Sequence, residues 1–245
     1  MSQTKPSLDD GQTAEILGFP IRIRIQGKGR PILLINGLAR PLESWDSFIA
    51  SLDDRQVIRF DVPGVGGSPA PNVPPTMIGL AQIAAGVLEV AGVERADVLG
   101  LSFGGAVAQQ LAFQYPARVR ALILVSTSCG FGSTSTNLDA AMTGPAHSTG
   151  EWFYLKPISA FWNTLAMASW SSIPFLASIA APTLVLTGEH DRLVPPSNSR
   201  LLARRIVGAT LMTLPAGHDL QKAKHASALA HAVMRFVDDA VHVDS

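Results

Sequence analysis

Residues 100 to 104 read Gly-Leu-Ser-Phe-Gly, a small hydroxyl between two glycines at the point where an apolar run gives way to a helix-forming one. Few folds accommodate that junction. Asp97-Val98-Leu99-Gly100-Leu101 predicts a buried strand, and Phe103 to Gln114 predicts a helix whose early residues, Gly104, Gly105 and Ala106, are small enough to lie close against a sheet. A sharp strand-to-helix turn crowds the serine, so its neighbours must lack side chains, while the helix start aims free N–H groups at any developing negative charge. The pattern predicts a nucleophile elbow, with the Ser102 hydroxyl exposed at the carboxyl edge of a sheet.

Composition narrows what surrounds that turn. A chain of 245 residues is long enough for one large α/β domain with its own core, without metal or disulfide staples. Nineteen basic residues balance nineteen acidic ones, so there is no electrostatic footprint for nucleic acid or for anionic lipid. A small neutral or weakly charged substrate is expected, with no cofactor and no metal. The single cysteine, Cys129, excludes an internal disulfide and agrees with a reducing compartment. The first twenty residues are polar and no apolar run is long enough to span a bilayer, so a cytoplasmic protein without an integral membrane segment is expected.

Along the chain, Ile21-Arg22-Ile23-Arg24-Ile25 alternates strictly and predicts a strand near a sheet edge, its arginines facing solvent. Later runs lose the alternation: Ile32 to Ile35, Val57 to Phe60, Val98-Leu99, Ala121 to Val125 and Thr183 to Leu186 predict strands covered on both faces. Helical patterns fall between and after them at Trp45 to Leu52, Met77 to Ala91, Phe103 to Gln114, Asn198 to Ile206 and His225 to Val237. This order predicts an α/β fold, a doubly wound and mainly parallel sheet with an antiparallel start. Residues 1–13 read as a loose polar tail, and 14–129 with 181–245 as the body.

Residues 130–180 break the rhythm. They hold eight of the sixteen aromatics, with only Asp139, Glu151 and Lys156 charged. An aromatic insertion late in a parallel sheet would sit over the edge where ligands bind, so a small helical cap is expected. Trp152, Phe153, Trp162 and Trp170 are its candidate substrate contacts, the alternative for each being simple packing of the cap onto the body.

A serine hydroxyl needs a base at neutral pH, and an imidazole held by a carboxylate supplies one. His218 follows Pro215-Ala216-Gly217 after the apolar run Thr210 to Leu214, which places it on a loop at a strand's carboxyl end; His225, His231 and His242 read as surface residues. The loop after Thr183 to Leu186 offers Asp191 as the carboxylate, with Glu189 as the fallback, and no acid follows the preceding strand, where Ser126-Thr127-Ser128-Cys129 stand. Oxyanion donors are expected from the backbone N–H groups of Phe103 and Leu38, the latter in the loop Asn36-Gly37-Leu38-Ala39-Arg40. Asn36 is either a substrate contact or a turn residue, and Arg40 either a substrate contact or a solvated charge. The glycine-rich stretch Asp61 to Ser68 lacks a following Lys-Ser/Thr pair and runs into Pro69 and Pro71, so it reads as a bracing loop and not as a phosphate cradle.

With these residues in hand the chain resembles the α/β-hydrolase superfamily, in the order Ser102, Asp191, His218. Within it, Asn36-Gly37-Leu38, Phe60 to Ser68, Ser102 to Gln110, Pro182 to Leu186 and Arg200 to Ile206 are similar to the intracellular medium-chain-length polyhydroxyalkanoate depolymerases. That family's Asn-Gly before the oxyanion donor, where the superfamily more often has His-Gly, matches Asn36-Gly37. Its cap is longer than the stretch of about fifty residues here, and the likeness resumes only at Trp170-Ser171-Ser172-Ile173. The resemblance implies a serine hydrolase acting through an acyl-enzyme on aliphatic or 3-hydroxyacyl esters, oligoesters or polyesters. Acyl transfer, perhydrolysis or carbon–carbon bond hydrolysis by the same triad, and a non-catalytic ligand-binding protein of the same body, stay as alternatives. Aspartyl-ester chemistry is excluded by the serine at the elbow. Homodimerisation through the cap or an edge strand is left open.

Overall fold

The computed structural model describes residues 11–130, 133 and 157–239. A short antiparallel hairpin opens the chain, β1 (Gln12–Ile16) and β2 (Phe19–Gln26), turned by Leu17 and Gly18, both at positive φ (54° and 77°). Six further strands follow: β3 (Arg30–Ile35), β4 (Arg55–Phe60), β5 (Ala96–Leu101), β6 (Val119–Val125), β7 (Thr183–Gly188) and β8 (Thr210–Leu214). They form one eight-stranded sheet in the order β1-β2-β4-β3-β5-β6-β7-β8, antiparallel as far as the β2–β4 pairing and parallel from β4 onward. The chain runs outward from β3 to β4 and then returns to the other side of β3 with β5. The connections leaving β3 and β5 therefore diverge, and a crevice opens between their carboxyl ends, where ligands bind in open parallel sheets.

Helices cover both faces. The described ones are α1 (Asp46–Ile49), α2 (Met77–Val90), α3 (Phe103–Gln114), α4 (Pro157–Ala168), α5 (Pro196–Arg205) and α6 (Ala223–Asp239). Successive strand residues serve opposite faces, as the twofold period of a strand requires. Leu33, Ile35, Val98, Leu122, Leu124 and Val185 pack with α2, α3 and Leu202 of α5. Ile32, Leu34, Leu99, Ile123, Leu184 and Leu186 pack with Trp45, Phe48 and α6. Two cores on one sheet explain the unbroken apolar runs, because neither face of these strands is wet.

The structure departs from the sequence reading in three places. The expected tail over 1–13 ends early: Gln12 and Thr13 already belong to β1, and residues 1–10 lie outside the described residues. The helix expected over 45–52 is one turn of 3-10 helix at Leu42–Trp45 followed by the four-residue α1. Arg22 does not simply face solvent; its guanidinium pairs with Glu43 at 2.5 Å and with the fully buried Asp61 at 3.3 Å. The Arg22 side chain lies on the face of β2 that meets the loops after β3 and β4, which carry Glu43 and Asp61.

Candidate active site

Ser102 stands between β5 and α3 with φ 53° and ψ −117°, a conformation that costs an L-residue of order 1–3 kcal/mol and persists only where the surroundings impose it. Those surroundings are visible. The Ser102 N–H donates to Val125 O (2.9 Å), and the Ser102 carbonyl accepts from Gly105 N (2.9 Å) and Thr127 Oγ1 (2.6 Å). A Cβ at Gly100 would lie 2.6 Å from Gly105 Cα, and one at Gly104 would lie 2.5 Å from Asn36 O, so no larger residue lets α3 start this close to β3 and β5. The strand-to-helix turn expected from residues 100–104 is present, and the Phe103 N–H, the first of the helix, has no intrahelical acceptor.

His218 and Asp191 come together on the loops after β8 and β7. His218 Nδ1 lies 2.9 Å from Asp191 Oδ2, with side chains 13% and 0% exposed. Asp191 Oδ1 accepts from the backbone N–H groups of Leu193 (3.0 Å) and Val194 (2.9 Å), which fixes the carboxylate plane. The two loops are tied by Glu189 N to Leu214 O (2.8 Å) and His190 N to Ala216 O (2.9 Å). Glu189, the fallback acid, is exposed. With Nδ1 on the carboxylate, Nε2 is left as the nitrogen that can take a proton. Among the described residues no group of three His, Cys, Asp or Glu side chains could hold a metal ion.

The loop after β3 supplies the other wall. A methyl group on Gly37 would stand 3.5 Å from Ser102 Cβ, which places the Asn36–Arg40 turn beside the serine, with Ala39 at φ 64°. Asn36 is 2% exposed and donates from Nδ2 to Pro41 O at 2.7 Å. It shapes this loop from beneath; of its two sequence readings, the turn residue fits and the substrate contact does not. The stretch Asp61 to Ser68 braces the same wall: Asp61 accepts from Leu42 N (2.7 Å) and Gly67 N (2.8 Å), and Ser68 Oγ donates to Asp61 O (2.7 Å). Burial pushes the Asp61 carboxyl above its usual range, while these N–H groups and Arg22 pull it back down.

Of the cap residues, Trp152 and Phe153 lie outside the described residues. Trp162 is half-buried on α4 beside Phe161, ring centroids 5.1 Å apart. Trp170 is 9% exposed and donates from Nε1 to Gln110 Oε1 at 2.7 Å, so it anchors the cap to α3, a packing role and not the expected substrate contact. Sequence reading missed Gln109, which donates from Nε2 to Gly105 O (3.1 Å) and Ser128 O (3.0 Å) and accepts from Ser172 Oγ (2.6 Å). Two adjacent glutamines on an otherwise apolar helix face were the available signal. It also missed Asp219, next to His218, which pairs with Arg40.

Comparison with known proteins agrees with this geometry. A family model described as the alpha/beta hydrolase fold matches residues 30–155. The chain is 35% identical to a poly(3-hydroxyalkanoate) depolymerase of Ectopseudomonas oleovorans over 92% of each chain; that match spans 266 positions, so the relative carries residues this chain of 245 lacks. It is 29% identical to a 2-hydroxymuconate semialdehyde hydrolase of Pseudomonas putida over 98% of both. The crystal structure of a hydrolase from Pseudomonas aeruginosa PA01 superposes with a TM-score of 0.84 at 26% identity, covering 93% of this chain and 98% of that one. The eight-stranded sheet, the strained serine at its carboxyl edge and these matches together assign the chain to the α/β-hydrolase fold family, as a hydrolase of the esterase type.

Proposed function

We propose that the chain is a serine esterase whose nucleophile is Ser102, base His218 and orienting carboxylate Asp191. The observation that carries this reading is the 2.9 Å contact of His218 Nδ1 with Asp191 at the sheet edge where Ser102 is held at positive φ. Ser102 Oγ attacks the ester carbonyl and His218 Nε2 takes its proton, the buried carboxylate holding the ring in the tautomer that leaves Nε2 free. Negative charge develops on the carbonyl oxygen between the N–H groups of Leu38 and Phe103. The imidazolium then protonates the departing alkoxide, and water activated by the same nitrogen releases the acyl group.

Aliphatic or 3-hydroxyacyl esters and oligoesters are the proposed substrates, supported by the likeness to the depolymerase and by a cap rich in aromatics and poor in charge. The residues that relative has in excess are proposed to lie in a longer cap, opposite residues 130–180 here. A reducing, cytoplasmic setting is proposed from the free, buried Cys129; among the described residues no helix is long and apolar enough to cross a membrane.

Replacing Ser102 with alanine is expected to abolish turnover of p-nitrophenyl esters from acetate to laurate with the circular dichroism spectrum unchanged. Retained turnover would refute the assignment. A second reading, hydrolysis of another bond by the same three residues, a carbon–carbon bond included, is favoured by the near full-length likeness to the semialdehyde hydrolase. Parallel assays of an ester panel and a ring-cleavage dienoate separate the two.

A further inference from the structure

The loops that carry the oxyanion donor and the base belong to β3 and β8, which β5, β6 and β7 separate in the sheet. No strand ladder links them. A side-chain ion pair does: Arg40 Nη2 lies 2.5 Å from Asp219 Oδ1, across 179 positions of sequence, with side chains 10% and 28% exposed. Arg40 Cδ and Ser102 Cβ both lie 3.5 Å from the point a Gly37 methyl would occupy, so the arginine stem and the serine both sit against the same glycine. Lys222 Nζ holds the other Asp219 oxygen at 3.1 Å. Burial pushes the Asp219 carboxyl up, but the charges of Arg40 and Lys222 outweigh it and hold it below the usual carboxylate range, which keeps it ionised.

Exposure separates this pair from ordinary surface contacts. In Arg30–Asp238 and Arg118–Glu89 the carboxylates are 55% and 70% exposed, the setting in which ion pairs contribute little. Among the described residues, the loop is also fastened locally by Asn36 Nδ2 to Pro41 O and by a long Arg40 N to Gly37 O bond of 3.3 Å.

We propose that the Arg40–Asp219 pair is a latch that sets the oxyanion loop against the base loop, which makes both side chains positioning residues for hydrolysis at Ser102. This rests on the esterase reading. The latch acts by geometry: displacing a preorganised donor by about 1 Å costs about a hundredfold in rate.

The test compares wild type, Arg40→Met, Arg40→Lys, Asp219→Asn and the Arg40→Met/Asp219→Asn pair. Expected are a tenfold to hundredfold fall in kcat with KM within about threefold, an equal fall in affinity for an alkyl boronic acid, and a double variant no worse than the poorer single. Arg40→Lys should recover part of the loss. Hydrogen exchange gives a readout apart from turnover: Asp219→Asn should speed exchange of amides 37–40 on the opposite loop. Folded single variants with kcat within twofold of wild type, losses that simply multiply in the double variant, or unchanged exchange at 37–40 would each overturn the latch. Failure of the esterase reading is distinguishable, since then wild type itself neither turns over esters nor is labelled at Ser102 by a fluorophosphonate.

Discussion

The placement of Ser102, Asp191 and His218 after strand ends was legible in the sequence because each follows a recognisable apolar run, and the glycines that make room for the turn at Ser102 are as necessary as the hydroxyl. The carboxylate was harder: Glu189 and Asp191 sit on one short loop, and it is the fold that buries Asp191 against His218, fixed by the backbone bonds from Leu193 and Val194, and leaves Glu189 exposed. Asp191→Asn should keep the fold and lower kcat by about a thousandfold or more, because the amide favours the wrong imidazole tautomer; stopped assays beside a thermal melt would check it. What could not be read is how a buried charge is compensated. Asp97, fully buried at the start of β5, pairs with Arg120, yet burial still raises its carboxyl to about 6. The folded chain therefore binds that proton more tightly than the unfolded chain, whose aspartate titrates near about 4. This contribution to stability is complete below about pH 4 and is lost as pH rises through about 6. The stability of wild type minus that of Asp97→Asn should shrink by on the order of 2 kcal/mol between pH 4 and pH 7 in urea titrations, and a gap that widens would contradict the assignment.

At the scale of elements, helices and strands with strong apolar patterns were found to within a few residues, and weakly patterned ones were not. α3 spans Phe103 to Gln114 as expected, whereas β1, Gln-Thr-Ala-Glu-Ile, lies at the sheet edge with little burial and so carries almost no signature. Two buried amides make opposite predictions. Gln109 uses both ends of its amide to join α3, the loop after β6 and Ser172, so Gln109→Leu strips partners from buried groups and should cost about 2 kcal/mol. Asn163, on the buried face of α4 with Ser159 and Ala166, has no hydrogen-bond partner for Nδ2 or Oδ1 among the described residues. Asn163→Leu removes an unmet desolvation cost and should stabilise by about 1 kcal/mol. Chemical denaturation of both variants reads the two signs directly; the same sign for both would show that the amides are not in the different states described.

For the whole molecule, the decisive feature is the reversal of strand order at β3. The alternation of strand and helix foretold a doubly wound sheet but not which strands adjoin, because neighbour relations depend on crossovers that no local pattern encodes. Once β3 lies between β4 and β5, Ser102, the loop after β3 and the two loops bearing Asp191 and His218 share one edge, although they are far apart in sequence. Among the described residues, the inserted stretch is tied to the body where it leaves and where it returns. Gly130 and Ser171 form an isolated antiparallel bridge, and a Cβ on Gly130 would lie 2.7 Å from the Trp170 ring. Departure and return of the inserted stretch thus share a single doorway. Whatever length of chain passes through it, β6 and β7 keep their register, so the inserted stretch can change in length without shifting the strand ends that carry Ser102 and Asp191.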